Sequence, residues 1–211
     1  MKLIGVWADG RVLGLSAMPV ESALIAARTV SSFAVTVMLA FAPSLSAAVY
    51  GSVVLVNSAV LLGLSSLNPS SLKLPVARWL LCVVALASLQ VVPMVELVVM
   101  RVELPIHAIA ACVVTAMSGF ALSALSQAWL LANKEHSGVI VDGPYAISRH
   151  PRVLGSIVMQ VGLASFAPSI PTIVALAGYI AVAYRSAVQS DARLKSKFAD
   201  YASVRADIPL V

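Results

Sequence analysis

Charge is what this chain has least of. Fourteen Lys and Arg and nine Asp and Glu make up 11% of its 211 residues, where a soluble domain carries roughly 25%. Too little polar surface remains to cover a globule in water, so lipid must cover most of the exterior. Cysteine is nearly absent as well. Cys82 and Cys112 lie in separate apolar runs without Cys-x-x-Cys spacing, which excludes a disulfide scaffold and offers no metal motif; both read as small buried hydrophobes. Aromatic residues amount to 6%, and Trp79 and Trp129 stand near the ends of apolar runs, where membrane-interface anchors sit. Disorder is excluded by a hydrophobic content of 60% and a mean hydropathy of +0.97. The net charge of +5 is scattered between apolar stretches rather than gathered on one face, which argues against a nucleic-acid partner.

What the sequence has is long apolar runs, at about 21–41, 45–65, 76–99, 105–131, 152–167 and 171–189, each near the ~20 residues that a membrane span requires. The fold class expected is all-α: a polytopic membrane bundle of about five to six transmembrane helices, with a C-terminal helical hairpin and a short amphipathic tail. A single integral membrane domain is expected over 1–211. The fifth run is the shortest, reaching only about 24 Å at 1.5 Å per residue against a hydrocarbon core of about 30 Å. Pro168 and Pro171 then force a tight reversal.

Six spans would place the N-terminus, the 66–75 loop, the 132–151 loop and the C-terminal tail on one side. Twelve of the fourteen basic residues fall on or beside those segments: Lys2, Arg11, Lys73, Arg78, Lys134, Arg149, Arg152, Arg185, Arg193, Lys195, Lys197 and Arg205. Arg101 marks the other side, and Arg28 sits inside the first run, where its long stem can snorkel to an interface. The positive-inside rule makes the basic side cytoplasmic. Asp9, Gly10 and Arg11 interrupt the apolar segment that a cleavable leader needs, so the mature chain is expected to begin near Met1. Abundant Ala, Ser and Gly predict closely packed helices. The two halves of the chain do not resemble each other, which weighs against an inverted-repeat transporter.

Ionisable groups inside apolar runs are functional candidates by default. Glu96, three residues after Pro93, is the clearest; it lies near the end of its run, where it can reach the far interface or pair with Arg101. His107 reads as an interfacial histidine, and no metal site is expected.

The segment Asp142-Gly143-Pro144-Tyr145-Ala146-Ile147-Ser148-Arg149-His150-Pro151-Arg152-Val153-Leu154-Gly155 is different in kind. Gly143-Pro144 signals a turn. Pro151 pushes His150 away from helical dihedrals and can itself open the next helix. Arg149 and His150 then stand at a helix N-terminus, where free N–H groups, the helix dipole and a guanidinium suit a carboxylate or phosphate. The alternative is an ordinary basic loop against lipid headgroups.

The set Gly143-Pro144-Tyr145, Arg149-His150-Pro151, Gly155 and Gly162 resembles the membrane-embedded methyltransferases typified by isoprenylcysteine carboxyl methyltransferase and phospholipid N-methyltransferases. Asp191-Ala192-Arg193-Leu194, Phe198-Ala199-Asp200-Tyr201 and Ile208-Pro209 resemble the tail of the same family. The resemblance covers about 133–209, leaving 1–132 as the variable helices. It departs at Val153, where the family commonly has Tyr, at Gln189-Ser190-Asp191, where it has consecutive Glu, and at Asp207, usually basic.

The resemblance implies S-adenosylmethionine as cofactor, bound between the loop and the tail, and a lipophilic acceptor arriving from membrane lipid, either an isoprenylcysteine-like carboxylate or an amphiphilic amine. It implies cofactor-binding roles for Tyr145, Arg149, His150 and Asp191. Arg149 and Arg205 are the candidate catalytic residues, Arg205 as the group that neutralises an acceptor carboxylate or phosphate. Two alternatives stay open: an NADPH-dependent membrane reductase of related fold, and a non-catalytic transporter or accessory subunit.

Overall fold

A long apolar segment must satisfy its backbone N–H and C=O groups without water, and the helix is the structure that does so within one segment. Six helices form in the computed structural model, which describes residues 18–41, 44–66, 73–74, 76–133, 140–197, 201 and 208–211. They are α1 (Val20–Leu39), α2 (Leu45–Ser66), α3 (Val76–Val99), α4 (Ile106–Ala132), α5 (Pro151–Ala164) and α6 (Ile170–Lys197). Among the described residues the other regular elements are a 3-10 turn, Gly143–Ala146, and a two-residue antiparallel pair, β1 (Met18–Pro19) with β2 (Lys73–Leu74). Among the described residues two helices, Ile106–Ala132 and Ile170–Ser196, are long and apolar enough to cross a membrane by length and composition.

The helix starts fall close to the expected runs, but two ends do not. α5 stops at Ala164 because Phe166 and Ala167 turn back, with Phe166 N–H donating to Leu163 O at 3.2 Å and Ala167 N–H to Ala164 O at 3.2 Å. α6 continues past 189 to Lys197. Its polar segment, Gln189 to Lys197, contains neither Gly nor Pro and is rich in good helix formers. The basic tail therefore begins as an extension of the hairpin helix.

Helix ends alternate between two poles. At one pole β1 pairs with β2, and the segment before α5 meets the C-terminal end of α6 through Arg149 and Asp191. At the other, Ser46 Oγ accepts the Leu104 N–H at 2.9 Å, tying the start of α2 to the α3–α4 connection. Glu96 meets the α5–α6 turn there, accepting hydrogen bonds from Ser169 Oγ and from Thr172 Oγ1 at 3.1 Å.

Glu96 is 8% exposed, and its partners among the described residues are Ser169 and Thr172 rather than Arg101. Ser169 Oγ also accepts the Thr172 N–H at 3.2 Å, so the hydroxyl caps the start of α6 while the carboxylate sits at the positive end of its dipole. Nearby, Pro93 removes a helical donor and crowds the preceding turn of α3; the Tyr50 hydroxyl donates to Gln90 O at 2.7 Å there. Tyr50 and Phe166, both fully buried, meet edge to face at 5.5 Å and join α2 to the α5–α6 turn.

α5 lies closest to α4, and glycine makes the approach possible. A Cβ on Gly119 would fall 2.2 Å from Met159 N, one on Gly155 2.6 Å from both Gly119 O and Ser123 N, and one on Gly162 2.4 Å from Ala116 N. The pairs Gly119 with Met159, Ser123 with Gly155 and Ala116 with Gly162 define one antiparallel register. Cys112 is a buried free thiol, as expected; the side chains of Cys82 and Trp79 lie outside the described residues.

Candidate functional site at the base of α5

The Gly143-Pro144 turn forms as its residues dictate. Gly143 adopts φ +58°, and a Cβ there would strike the Trp129 indole at 2.7 Å. Pro144 then opens the 3-10 turn, with Tyr145 N–H donating to Asp142 O at 3.1 Å and Ile147 N–H to Pro144 O at 3.2 Å. Trp129 Nε1 donates to Asp142 Oδ1 at 3.3 Å. The tryptophan thus anchors this loop as well as ending its apolar run. Tyr145 is buried.

Pro151 occupies the first position of α5, and His150, at φ −128° and ψ 61°, is its N-cap. The His150 side chain makes no capping bond. Its N–H donates instead to Ser148 Oγ at 3.1 Å, and its carbonyl accepts from Val153 and Leu154.

Arg149 is tied to the C-terminal residues. Its backbone N–H donates to Pro209 O at 2.8 Å, its Nε to Ile208 O at 2.7 Å, and Ser148 Oγ donates to Leu210 O at 3.1 Å. These bonds clasp the C-terminal residues onto the loop. Arg149 Nη1 also lies 3.6 Å from Asp191 Oδ1. Asp191 accepts from the Tyr201 hydroxyl at 2.7 Å and pairs with Lys195 Nζ at 3.0 Å, one turn along α6. It stands beyond the apolar part of α6, which ends near 189. Burial opposes its ionisation, but the Tyr201 hydrogen bond and the cations of Lys195 and Arg149 outweigh it and hold the carboxyl below its ordinary value. Asp191 is therefore a latch for the tail before it is anything else.

Of the sequence candidates, the fold brings Arg149 and Asp191 together, with Tyr145 and His150 on the same loop. Arg205 lies outside the described residues. Two groups were missed. Tyr201 stood within the tail motif but was given no role. Gln127, 2% exposed with no partner for its Oε1, continues the face of α4 that carries Gly119 and Ser123; the register sets it opposite Pro151, at the first turn of α5. An amide within an apolar run was the available signal. Among the described residues no group of His, Cys, Asp and Glu could hold a metal ion. No protein-family model and no curated protein matches the chain.

Proposed function

We propose that the chain is a multi-pass membrane methyltransferase that uses S-adenosylmethionine and acts on a lipophilic acceptor, with the 132–151 loop and the C-terminus cytoplasmic. The observation that carries this reading is the clasp of the Arg149-His150-Pro151 loop by the chain's C-terminal residues and by Asp191 of α6, at the pole where basic residues concentrate. The donor set fits a ligand that is both anionic and cationic. His150, at the positive end of the α5 dipole, suits a carboxylate. The orphaned Gln127 Oε1 suits an ammonium or amine hydrogen. Asp191 adds negative charge nearby, and buried Tyr145 offers an apolar ring.

The bound cofactor supplies an electrophilic methyl group on sulfonium. Arg149 holds loop and tail in one geometry, and Asp191 with Tyr201 and Lys195 keeps the tail seated. Positioning of that kind supplies much of the acceleration in an in-line methyl transfer. Calorimetric titration of the purified chain with S-adenosylmethionine, S-adenosylhomocysteine and NADPH tests the proposal. Saturable binding of the first two and none of the third is expected; NADPH binding alone would support the reductase, and no binding a non-catalytic protein.

A further inference from the structure

Asn57 and Ser58 of α2, Gln90 of α3 and Gln160 of α5 are each more than nine-tenths buried, and each has a side-chain atom with no hydrogen-bond partner among the described residues. At Asn57 both ends of the amide are unpartnered. Polar atoms in this state inside an apolar bundle are costly and point to an occupant.

Packing contacts set these groups in one band of the bundle. Tyr50 turns its hydroxyl to Gln90 O and its ring to Phe166, so this face of α2 looks toward α3 and the end of α5. Tyr50, Val54, Asn57 and Leu61 recur at helical spacing along that face, and all are buried. Asn57 lies two turns from Tyr50 toward the loop pole, and Gln160 lies the same distance, to within a residue, from Phe166 on antiparallel α5. Gln160 is one turn from Leu163, which packs in the same core cluster as Tyr50, Val54 and Met94. The Gln90 side chain tilts toward the start of α3 and so into the same band. Pro93 has no N–H for the Leu89 carbonyl one turn back, which adds a backbone oxygen.

We propose that this band binds one sodium ion, with the amide oxygens of Asn57, Gln90 and Gln160, the Ser58 hydroxyl and the Leu89 carbonyl as its ligands. Among these side chains unpartnered oxygens outnumber unpartnered nitrogens four to one, so the occupant must bring positive charge or hydrogen. The same atoms are sealed from the surface, which leaves an amphiphile no path for its tail and suits an occupant the size of an atom. Neutral oxygens with a carbonyl freed at a helix break coordinate sodium inside membrane bundles. Divalent cations draw on carboxylates, and Glu96 is already engaged with Ser169 and Thr172. From less than two turns beyond Gln90 its charge still favours a cation. Arg28 lies more than a turn beyond Asn57 toward the loop pole, by the contact of Leu39 with Gly51, and its Cβ points that way. The ion ties α2, α3 and α5 together inside the bundle, whatever the loop at the base of α5 binds.

Thermal unfolding of the purified full chain in neutral detergent tests the site, in a sodium chloride series held at constant ionic strength with N-methylglucamine chloride. The melting temperature should climb with the logarithm of sodium concentration, by about 3–6 °C per tenfold above the dissociation constant, and less in a potassium series. Asn57→Leu and Gln160→Met replace an amide by an apolar group of similar size. Each should melt at or above the parent in N-methylglucamine, because a stranded amide is gone, and each should lose the sodium dependence. Equilibrium dialysis with radiolabelled sodium should find one ion per parent chain and none on Asn57→Leu; Gln160→Met takes its place if Asn57→Leu does not fold. A parent that melts alike in sodium and in N-methylglucamine would overturn the inference and leave internal water as the occupant. So would a sodium dependence that survives in either folded variant.

Discussion

Replacing Gly155 with alanine adds one methyl group where α5 touches α4, and the expected cost follows from what that carbon meets. Its nearest neighbours are Gly119 O and Ser123 N, both at 2.6 Å, and Ser123 Cα at 3.1 Å. All are backbone atoms, so no side chain can rotate away. Restoring an ordinary contact of about 3.5 Å requires the helices to part by roughly 1 Å, which forfeits dispersion along the whole interface. Overpacking of this kind costs about 1–3 kcal/mol, whereas removing a helical glycine gains about 0.5–1 kcal/mol. The matched control is Gly178→Ala in α6, where a Cβ meets nothing within 4 Å and only the gain applies. At roughly 2–4 °C per kcal/mol for a chain of this size, Gly178→Ala should raise the melting temperature slightly and Gly155→Ala should melt about 2–12 °C below that variant, because the glycine gain is common to both. Thermal unfolding of both variants in one detergent at one scan rate measures the difference. A Gly155→Ala protein as stable as Gly178→Ala would refute the close approach of α4 and α5.

Glu96→Ala strands the Ser169 and Thr172 hydroxyls at the start of α6 and should cost about 2–4 kcal/mol, read as a lower melting temperature. Because Glu96 sits at the pole opposite the loop, S-adenosylhomocysteine affinity should stay within about twofold in whatever fraction remains folded. Tyr201→Phe removes one donor to Asp191 and should loosen the tail by about 1 kcal/mol, seen as faster tryptic cleavage near Lys197, while Lys195 still holds the carboxylate. Single cysteines at Ser137 and Ser203, in a background without Cys82 and Cys112, should react with an impermeant maleimide only when it is given access to the cytoplasmic face. Labelling of either from outside would break the topology.

Helix positions were legible because each apolar run is long and its breaks carry Pro, Gly or polar clusters, so that α2 and α3 begin within a residue of where the runs do. The end of α6 was not, since hydropathy falls at Gln189 while helix propensity does not. Gly143, Pro144 and Pro151 announced the loop and the start of α5 through local chemistry alone. The clasp was invisible for the opposite reason. Its acceptors are the backbone carbonyls of Ile208, Pro209 and Leu210, about sixty residues away in sequence, and backbone carbonyls carry no sequence signature. The role of Glu96 was hidden likewise, because its partners Ser169 and Thr172 lie more than seventy residues on. Gly119 gave no sign by itself; only its register against Gly155 and Met159 shows why it has no side chain.

The central claim is that the loop at the base of α5 binds S-adenosylmethionine, and the most direct measurement is the S-adenosylhomocysteine affinity of His150→Ala beside that of the unaltered chain. The melting temperatures of the two proteins are measured first, so that affinity is compared between folded samples. Loss of a charge-assisted hydrogen bond worth about 1.5–3 kcal/mol should weaken binding roughly ten- to a hundredfold. Equal affinity in the two proteins, or no binding by a folded parent, would contradict the account.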